Sequence, residues 1–303
     1  MNNIYDCLII GSGISGMTSS IYLKRNNLKV ALIEKNAPGG LINKTSSIEN
    51  YPGFEKIDGP TLSFNIFNQT QKLDVTYIGE EVIEVIKEHG IFIVNTNKNK
   101  YISKTVIVAS GRKPIETKIQ NEKCLIGRGI SYCALCDGNL YKNKDVVVYG
   151  YNEETINEAL MLSKIVNKVY IINPKNYFEK TMNQISKIEK YEKISILYNT
   201  KIIKLIDENR ILKSIQLDSG NILNIDCLFV CLGNVPEYGF LKNVNIDYKN
   251  NHIIVNNNKE TATKGIYAVG DVTYKQVYQL VTAANDGAIA AVSIINCIKE
   301  LEK

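Results

Sequence analysis

Two segments of this chain, about 140 residues apart, each run from an apolar strand through a glycine-containing turn into a helix. The first strand covers residues 5–10, and its turn reads Gly-Ser-Gly-Ile-Ser-Gly at 11–16. The second strand covers residues 145–149, and its turn begins at Gly150. Each helix is followed by another apolar strand, so each segment predicts a βαβ unit and a parallel sheet. The spacing is too long for a solenoid repeat and indicates a duplicated nucleotide-binding architecture in an α/β protein.

The order of strands along the chain predicts that one domain is inserted into the other. A length of 303 residues suits two domains that each bury a core. One apolar strand ends at Ser-Gly-Arg-Lys-Pro (110–114), and a later one ends at Gly-Asn-Val-Pro (233–236). Both endings are typical of hinges. After about residue 240 the chain returns to short strands and closes with a helix from Thr282.

The first glycine turn has every part of a dinucleotide-binding fingerprint. Gly11 permits the tight turn, and Gly13 lets backbone N–H groups approach a pyrophosphate. Gly16 permits close packing of helix on strand, and the helix N-terminus favours the phosphate charges. Glu34 follows the next strand, where a carboxylate binds ribose hydroxyls and disfavours a 2′-phosphate. We therefore predict a Rossmann-like dinucleotide site; a glycine turn without a ligand is the alternative.

Gly270 and Asp271 favour FAD over NAD as the dinucleotide. They follow an apolar strand in Gly-Ile-Tyr-Ala-Val-Gly-Asp-Val at 265–272. A carboxylate at this point is suited to binding the ribityl chain, and the following helix N-terminus is directed at the flavin ring. An ordinary Gly-Asp turn is the alternative. Gly270 and Asp271 therefore indicate FAD only in combination with the glycine turn at 11–16.

Cys133 and Cys136 form a Cys-x-x-Cys pair with Asp137 directly after it. This spacing allows a reversible disulfide whose thiolate is stabilised by backbone dipoles. Asp137 is placed to move the proton that dithiol chemistry takes up or releases. Half of a zinc site and two inert buried thiols are the alternatives. Zinc needs four ligands, and because the chain has no second Cys-x-x-Cys and only two histidines, we predict no metal.

The remaining cysteines lie mostly in apolar sequence and are predicted to be core residues: Cys7, Cys124, Cys227, Cys231 and Cys297. The formal net charge is +5, but the lysines form no long basic block, so no nucleic-acid partner is predicted. No apolar run approaches the roughly 18 residues of a membrane span. The first ten residues lack the features of a secretory signal, so the cytoplasm is the expected location.

Together these motifs resemble the low-molecular-weight thioredoxin reductases over essentially the whole chain. The resemblance is carried by GSGISG (11–16), PGG and ENYPGF (within 38–54), GRGISYCALCDG (127–138), GIYAVGDV (265–272) and QLVTAANDGAIAA (279–291). It implies two Rossmann-like domains of the glutathione-reductase type. One is an FAD-binding domain at 1–114 and 244–303, and the other is an inserted NADPH-like domain at 115–243 that carries the redox cysteines. A homodimer that reduces thioredoxin is also implied.

The same resemblance assigns roles to individual residues. Cys136 becomes the sulfur that faces the flavin, Cys133 the sulfur that attacks thioredoxin, and Asp137 the acid–base group. The expected FAD contacts are Gly11, Ser12, Gly13, Ile14, Ser15, Gly16, Glu34, Lys35, Gly40, Leu41, Asn50, Val82, Ala109, Ser110, Gly111, Gly270, Asp271, Gln279 and Leu280. Two nearby positions depart from the family, which usually has Gln in place of Leu41 and Arg in place of Tyr278. Both changes remove polar contacts and are expected to alter flavin affinity or potential.

The second turn departs much further from members that use NADPH, which carry Gly-Gly-Gly-Asp-Ser-Ala where this chain has Gly-Tyr-Asn-Glu-Glu-Thr (150–155). Asn152 adds a side chain where backbone should contact pyrophosphate. Glu153 and Glu154 place two carboxylates in the first helical turn, where they neutralise the dipole and repel phosphate. The family's His-Arg-Arg run for the 2′-phosphate is Asn-Pro-Lys at 173–175, and one lysine is a poor substitute for an arginine clamp. We predict that no NADPH binds.

These departures make the chain most similar to the ferredoxin-dependent flavin thioredoxin reductases, a branch that works without pyridine nucleotides. We predict that reduced ferredoxin supplies electrons singly to FAD, and that pairs of electrons then pass to Cys133–Cys136 and to thioredoxin. An NADPH-dependent reductase with a degenerate nucleotide site and a two-flavin disulfide oxidoreductase are the alternatives within the same chemistry. A flavin-binding redox sensor or scaffold is the alternative from another class.

Overall fold

The computed structural model describes residues 4–45, 47–179, 188 and 191–301. The chain divides into two compact units, one formed by residues 1–113 and 236–303 and the other by residues 114–235. The second boundary differs from the one expected at 243/244. Residues 236–243 lie in the first unit because Phe240 and Leu241, which are 8% and 0% exposed, pack into its hydrophobic core.

The first unit is built around a seven-stranded sheet. Its strands are β1 (Tyr5–Ile10), β2 (Val30–Ile33), β3 (Thr76–Ile78), β4 (Val82–Glu88), β5 (Ile91–Thr96), β6 (Lys100–Val108) and β19 (Ile266–Ala268). Their order is β3-β2-β1-β6-β5-β4, and β19 also pairs with β6. Ile10 lies opposite both Ile33 and Val108 in parallel ladders, so β1, β2 and β6 end together at one edge. Ligands bind at this edge in open α/β sheets.

Helices cover the sheet of the first unit. In the described residues they are α1 (Ile14–Lys24), α2 (Gly59–Gln71) and α6 (Leu280–Leu301), with single 3₁₀ turns at Gly40–Lys44, Gly239–Leu241 and Gly270–Val272. The Asp58 carboxylate caps α2 by accepting a hydrogen bond from the Thr61 N–H at 2.8 Å. A small antiparallel hairpin, β17 (Tyr248–Lys249) and β18 (His252–Ile253), precedes β19.

Helix α6 is a core helix of the first unit. Its Ala290, Ile294 and Ile298 are buried with residues of α1 and β1. The Ser19 hydroxyl donates to the Gly287 carbonyl oxygen at 3.1 Å, which brings α1 and α6 close together. Over Leu280–Lys299 the helix matches a membrane span in length and in its mean hydropathy of 1.4, which the sequence analysis did not anticipate. The buried apolar residues of α6 pack in the core of this unit, whereas Val281 and Val292 are exposed.

The second unit repeats the architecture on a smaller scale. Its parallel sheet has the order β11-β10-β9-β15-β8, formed by β8 (Ile130–Ser131), β9 (Asp145–Gly150), β10 (Lys168–Ile172), β11 (Ile194–Leu197) and β15 (Cys227–Cys231). A second, antiparallel sheet contains β12 (Ile202–Glu208), β13 (Ile211–Leu217) and β14 (Ile222–Asn224). Among the described residues, the helices with defined bounds are α3 (Glu122–Leu125), α4 (Ala134–Asp137) and α5 (Glu153–Leu162), and a 3₁₀ turn spans Gly138–Tyr141. The short strands β7 (Arg112–Pro114) and β16 (Asn234–Pro236) lie in the two connecting segments.

Candidate active site

The N-terminus of α1 faces a cleft in the first unit. Gly11 has a φ of 103°, which favours glycine, and a β-carbon there would lie 2.4 Å from the Ala109 carbonyl oxygen. Gly13 is the N-cap residue, and no described side chain caps the helix. At Gly16 a β-carbon would lie 2.0 Å from the Gly11 carbonyl oxygen, so glycine is required for this packing. The first-turn N–H groups of α1 are therefore available to an anion.

Most of the expected FAD contacts line this cleft, which has a volume of about 870 Å³. They are Gly11, Gly13, Ile14, Ser15, Glu34, Gly40, Leu41, Ala109, Ser110, Gly111, Asp271, Gln279 and Leu280. A cavity of about 410 Å³ shares Gly11, Glu34 and Ser110 with it and is also lined by Lys35 and Val82. The two spaces together follow the C-terminal edge of the sheet, as an extended dinucleotide requires.

Four of the expected contacts line neither space: Ser12, Gly16, Asn50 and Gly270. Gly16 packs α1 against the Gly11 turn, as described above. Ser12 donates from its N–H and its hydroxyl to Oε2 of Glu34, at 2.9 and 3.2 Å, and so fixes the carboxylate. The Asn50 amide donates to Oε1 of Gln279 at 3.0 Å. These residues support the cleft by orienting the groups that line it.

Charged groups beside the cleft are largely neutralised within the protein. Burial lowers the pKa of Lys35, but ion pairs with Glu237 at 2.7 Å and Glu81 at 3.4 Å outweigh this and leave the pKa above its usual value. Asp286 is 3% exposed and accepts a hydrogen bond from the Gly270 N–H at 3.2 Å. Its carboxylate lies 2.7 Å from the ammonium of Lys259 and 2.9 Å from that of Lys275. The Gly270–Asp271 turn is thus held from behind by a buried charge network.

The second unit carries the redox cysteines. Cys133 and Cys136 are joined by a disulfide, with their Cα atoms 5.3 Å apart. Strand β8 leads into Cys133, and α4 begins directly after it. Cys133 is buried, whereas Cys136 is exposed. The exposures by themselves favour Cys136 as the sulfur that a partner reaches, whereas the resemblance assigns that attack to Cys133.

Two carboxylates accept hydrogen bonds from the segment that carries the cysteines: Asp137, at the end of α4, and Glu158 of α5. Asp137 accepts a hydrogen bond from the Ser131 hydroxyl at 2.7 Å, and the same hydroxyl oxygen accepts the Cys133 N–H at 3.0 Å. From α5, Glu158 accepts the Ala134 N–H at 3.4 Å and the Cys231 thiol at 2.6 Å. One serine thus links the Asp137 carboxylate to the backbone N–H of Cys133, which holds the carboxylate close to the cysteine pair.

Comparison with known proteins identifies the family. The family model described as pyridine nucleotide-disulphide oxidoreductase matches residues 5–288. The thioredoxin reductase of Mycoplasma genitalium is 36% identical over 96% of this chain and 94% of that protein. The chain belongs to the thioredoxin reductase family. Its activity class is therefore that of a flavin-dependent disulfide oxidoreductase.

Solved structures of thioredoxin reductases share the fold. The enzyme of Lactococcus lactis superposes with a TM-score of 0.84 at 30% identity, covering 98% of this chain and 99% of that chain. A ferredoxin-flavin thioredoxin reductase from Clostridium acetobutylicum superposes with a TM-score of 0.56 at 27% identity, covering 98% of both chains. The predicted α/β fold with Rossmann-like domains is confirmed. Thioredoxin reductases of this family are FAD-binding flavoproteins, as the sequence analysis expected.

The cleft of this thioredoxin reductase fits FAD. A β-carbon added at Gly13 or Gly111 would have no protein atom within 4 Å, so both main-chain segments face open space. Such a cradle lets a ligand lie directly against backbone. The uncapped N-terminus of α1 suits the pyrophosphate, and the oriented Glu34 carboxylate suits ribose hydroxyls.

Tyr278, noted in the sequence as a departure from the family near the flavin, lines the cleft. Three residues of the site were not selected from the sequence: Arg112 lines the cleft, and Ser131 and Glu158 contact the segment that carries the cysteines. For Arg112 the available signal was its position directly after Gly111, and for Ser131 its position two residues before Cys133. Glu158 joins the site only because α5 packs beside α4, which no local pattern reveals.

The thiols of the chain are expected to differ sharply in reactivity. Burial raises the pKa of the Cys7 thiol to about 12 and raises the pKa of the Cys227 thiol as well. Cys124 is exposed, so its prediction as a core residue was wrong: its apolar neighbours in the sequence do not cover it. Iodoacetamide should label Cys124 in the oxidised native protein and should label Cys136 only after reduction. Peptide mass spectrometry checks this, and labelling of Cys7 or Cys227 as fast as Cys124 would contradict it.

Proposed function

We propose that this thioredoxin reductase takes its electrons from reduced ferredoxin instead of NADPH and passes them through FAD and the Cys133–Cys136 pair to thioredoxin. The observation that carries the proposal is the N-terminus of α5. There the chain's own side chains occupy the positions that a nucleotide would use, whereas the corresponding end of α1 is uncapped.

The N-terminus of α5 is capped by the chain's own side chains. The Asn152 side chain accepts a hydrogen bond from the Thr155 N–H at 3.0 Å, and the Thr155 hydroxyl accepts one from the Asn152 N–H at 3.3 Å. This capping box satisfies two of the N–H groups, those of Asn152 and Thr155, that a pyrophosphate could otherwise use. Displacing such a cap costs about 1 kcal/mol before any phosphate is bound.

The first turn of α5 is also acidic. Glu153 and Glu154 lie in the first turn of α5, and both are exposed at its positive end. They stabilise the helix through its dipole and repel an anionic ligand at the same place. Helix α1 has no acidic residue in its first turn. The two helices therefore present opposite conditions to a pyrophosphate.

A segment of the chain also covers the turn before α5. The Glu179 N–H donates to the Tyr151 carbonyl oxygen at 2.8 Å. The ammonium of Lys175 lies 3.8 Å from the centroid of the Tyr151 ring and 2.7 Å from Oε1 of Glu179. The fully buried Asn173 accepts the Lys175 N–H and donates to the Tyr177 carbonyl oxygen. A 2′-phosphate would have to separate Lys175 from partners it already has.

The proposed mechanism assigns work to both units. Bound FAD supplies a carrier that accepts electrons singly and delivers them in pairs to a disulfide. Two electrons break the S–S bond between Cys133 and Cys136, and uptake of one proton leaves one thiolate and one thiol. Asp137, hydrogen-bonded to Ser131, is the proposed donor of that proton. The thiolate attacks the thioredoxin disulfide to form a mixed disulfide. The other cysteine then breaks the mixed disulfide, which restores Cys133–Cys136 and releases thioredoxin with two thiols.

Other features support the proposal to a smaller extent. A formal net charge of +5 suits an acidic electron-transfer protein as donor. A structural relative from Clostridium acetobutylicum is named a ferredoxin-flavin thioredoxin reductase. A homodimer in the cytoplasm is proposed from the family resemblance.

An anaerobic titration of the flavin absorbance tests the donor. Excess NADPH should leave the flavin oxidised, whereas catalytic ferredoxin with a reducing system should bleach it. Complete bleaching should take up to four electrons per chain, two for the Cys133–Cys136 disulfide and two for FAD, and oxidised thioredoxin should reverse the bleaching. The control contains the reducing system without ferredoxin. Rapid stoichiometric bleaching by NADPH, with none by ferredoxin, would overturn the proposal. Flavin released on denaturation should amount to one FAD per chain; two would indicate the two-flavin alternative.

A further inference from the structure

Arg112 is held in a fixed position beside the cleft of the first unit. Its Cζ atom lies 3.9 Å from the centroid of the Tyr278 ring, within the range of a cation–π contact. Its Nε donates to the Asp271 carbonyl oxygen at 3.5 Å. Gly111, with a φ of 63°, turns the chain at the end of β6 so that Arg112 follows at the cleft. A tyrosine and a backbone carbonyl therefore hold the guanidinium at the lining.

Arg112 differs from the cations around it because they are paired with carboxylates. Lys35 is paired with Glu237, and Lys275 and Lys259 are paired with Asp286. Within the described residues, Arg112 forms no ion pair with a carboxylate, and no other cation lines the larger cleft. A guanidinium that is held in place and not neutralised is suited to an anionic ligand.

Tyr278 is itself supported from the protein side. Its ring lies 5.4 Å from the ring of His252, measured between centroids, and the ammonium of Lys275 lies 5.7 Å from it. Because Tyr278 is packed in this way, it gives Arg112 a stable surface to lie on. Tyr278 stands where an arginine is usual in the family, and in this chain the cation beside the cleft is Arg112.

We propose that Arg112, held against Tyr278, is a cofactor-binding residue that supplies the positive charge of the cleft, strengthens FAD binding and raises the midpoint potential of the bound flavin. FAD is an anion through its phosphates and gains electrons on reduction, so a nearby fixed cation stabilises it, more strongly in the reduced state. The inference depends on FAD binding alone. It is independent of whether ferredoxin or NADPH is the donor.

Titration of the FAD-free protein with FAD tests the proposal without any electron donor. Arg112→Met should weaken FAD binding by about 10- to 100-fold, as for the loss of one charge-assisted contact. Lys113→Met is the matched control, since Lys113 is the adjacent cation, does not line the cleft and is half exposed. The Lys113→Met variant should bind FAD as tightly as the unmodified protein does. The midpoint potential of Arg112→Met should be more negative than that of Lys113→Met.

Further variants separate charge from shape. Arg112→Lys should recover most of the affinity, and Tyr278→Phe should change little because the ring remains. Tyr278→Ala should lose part of the affinity, and adding it to Arg112→Met should cause no further loss, since the two residues act as one unit. Equal losses in Arg112→Lys and Arg112→Met would overturn the proposal, as would an Arg112→Met protein that binds FAD as tightly as Lys113→Met. These comparisons hold even if a variant is less stable, because far-UV circular dichroism reports the folded fraction in each titration.

Discussion

Replacement of either Cys133 or Cys136 by serine is expected to reduce thioredoxin reduction to the level of an enzyme-free blank. A serine hydroxyl cannot form the disulfide, so no acceptor remains between FAD and thioredoxin. The side chains are nearly the same size, and the cleft that fits FAD is formed by residues of the other unit, so both variants should stay folded and retain flavin. The measurement is the rate of formation of thioredoxin dithiol with chemically reduced enzyme.

The matched control for this loss is Cys124→Ser. Cys124 is an exposed free cysteine in the same unit, and its replacement should leave the rate unchanged. A Cys133→Ser or Cys136→Ser enzyme with substantial turnover would contradict the disulfide mechanism. Undiminished biological activity of Cys133→Ser would favour a flavin-binding sensor or scaffold.

The same variants decide which sulfur attacks. A thioredoxin whose single remaining cysteine is first converted to a disulfide with thionitrobenzoate forms a lasting mixed disulfide with the attacking residue and releases thionitrobenzoate. The family resemblance predicts that Cys136→Ser, which keeps Cys133, traps this complex. The exposure of Cys136 and the burial of Cys133 favour the opposite result. Whichever variant traps the complex identifies the attacking cysteine.

The α/β fold was predictable because its signals are local. The strand, glycine turn and helix at Gly11–Gly16 and at Gly150 are contiguous in the sequence, and each is fixed by short-range chemistry. The boundary at 236–243 was not predictable, because Phe240 and Leu241 are simply apolar and nothing local says which of two cores they join. The same holds for Cys124, whose apolar neighbours in sequence do not bury it.

Contacts between residues far apart in the sequence were not predictable. Tyr278 was expected near the flavin, but its contact with Arg112 forms only because the chain returns to the first unit after the inserted one. At Asn152 the sequence revealed a missing glycine but not the cap, because the partner is a threonine at a position where capping boxes usually have Glu or Gln. The structure adds two contacts at that turn: the Asn152 side chain accepts a hydrogen bond from the Thr155 N–H, and the Lys175 ammonium lies over the Tyr151 ring.

Two glycines of the first turn are expected to respond in opposite ways to alanine. At Gly13 a β-carbon meets no protein atom within 4 Å, and its φ of −69° with ψ of 179° suits any residue. Gly13→Ala should therefore change the stability of the FAD-free protein by no more than about 1 kcal/mol, the usual scale for an N-cap. The added methyl group lies where the pyrophosphate must contact the main chain. FAD binding should weaken by about tenfold or more.

At Gly16 the added β-carbon would lie 2.0 Å from the Gly11 carbonyl oxygen and 3.2 Å from Cβ of Ala109. Neither can move without shifting α1 from the sheet, so Gly16→Ala should destabilise the FAD-free protein by at least about 1–3 kcal/mol, the range for overpacked cores. Urea unfolding of the FAD-free variants, together with FAD titration of each, measures both effects. Equal destabilisation by the two substitutions would mean that Gly13 is packed against protein. Loss of FAD binding by Gly13→Ala at unchanged stability would instead locate the pyrophosphate at the N-terminus of α1, the helix end that this chain leaves uncapped while it caps α5.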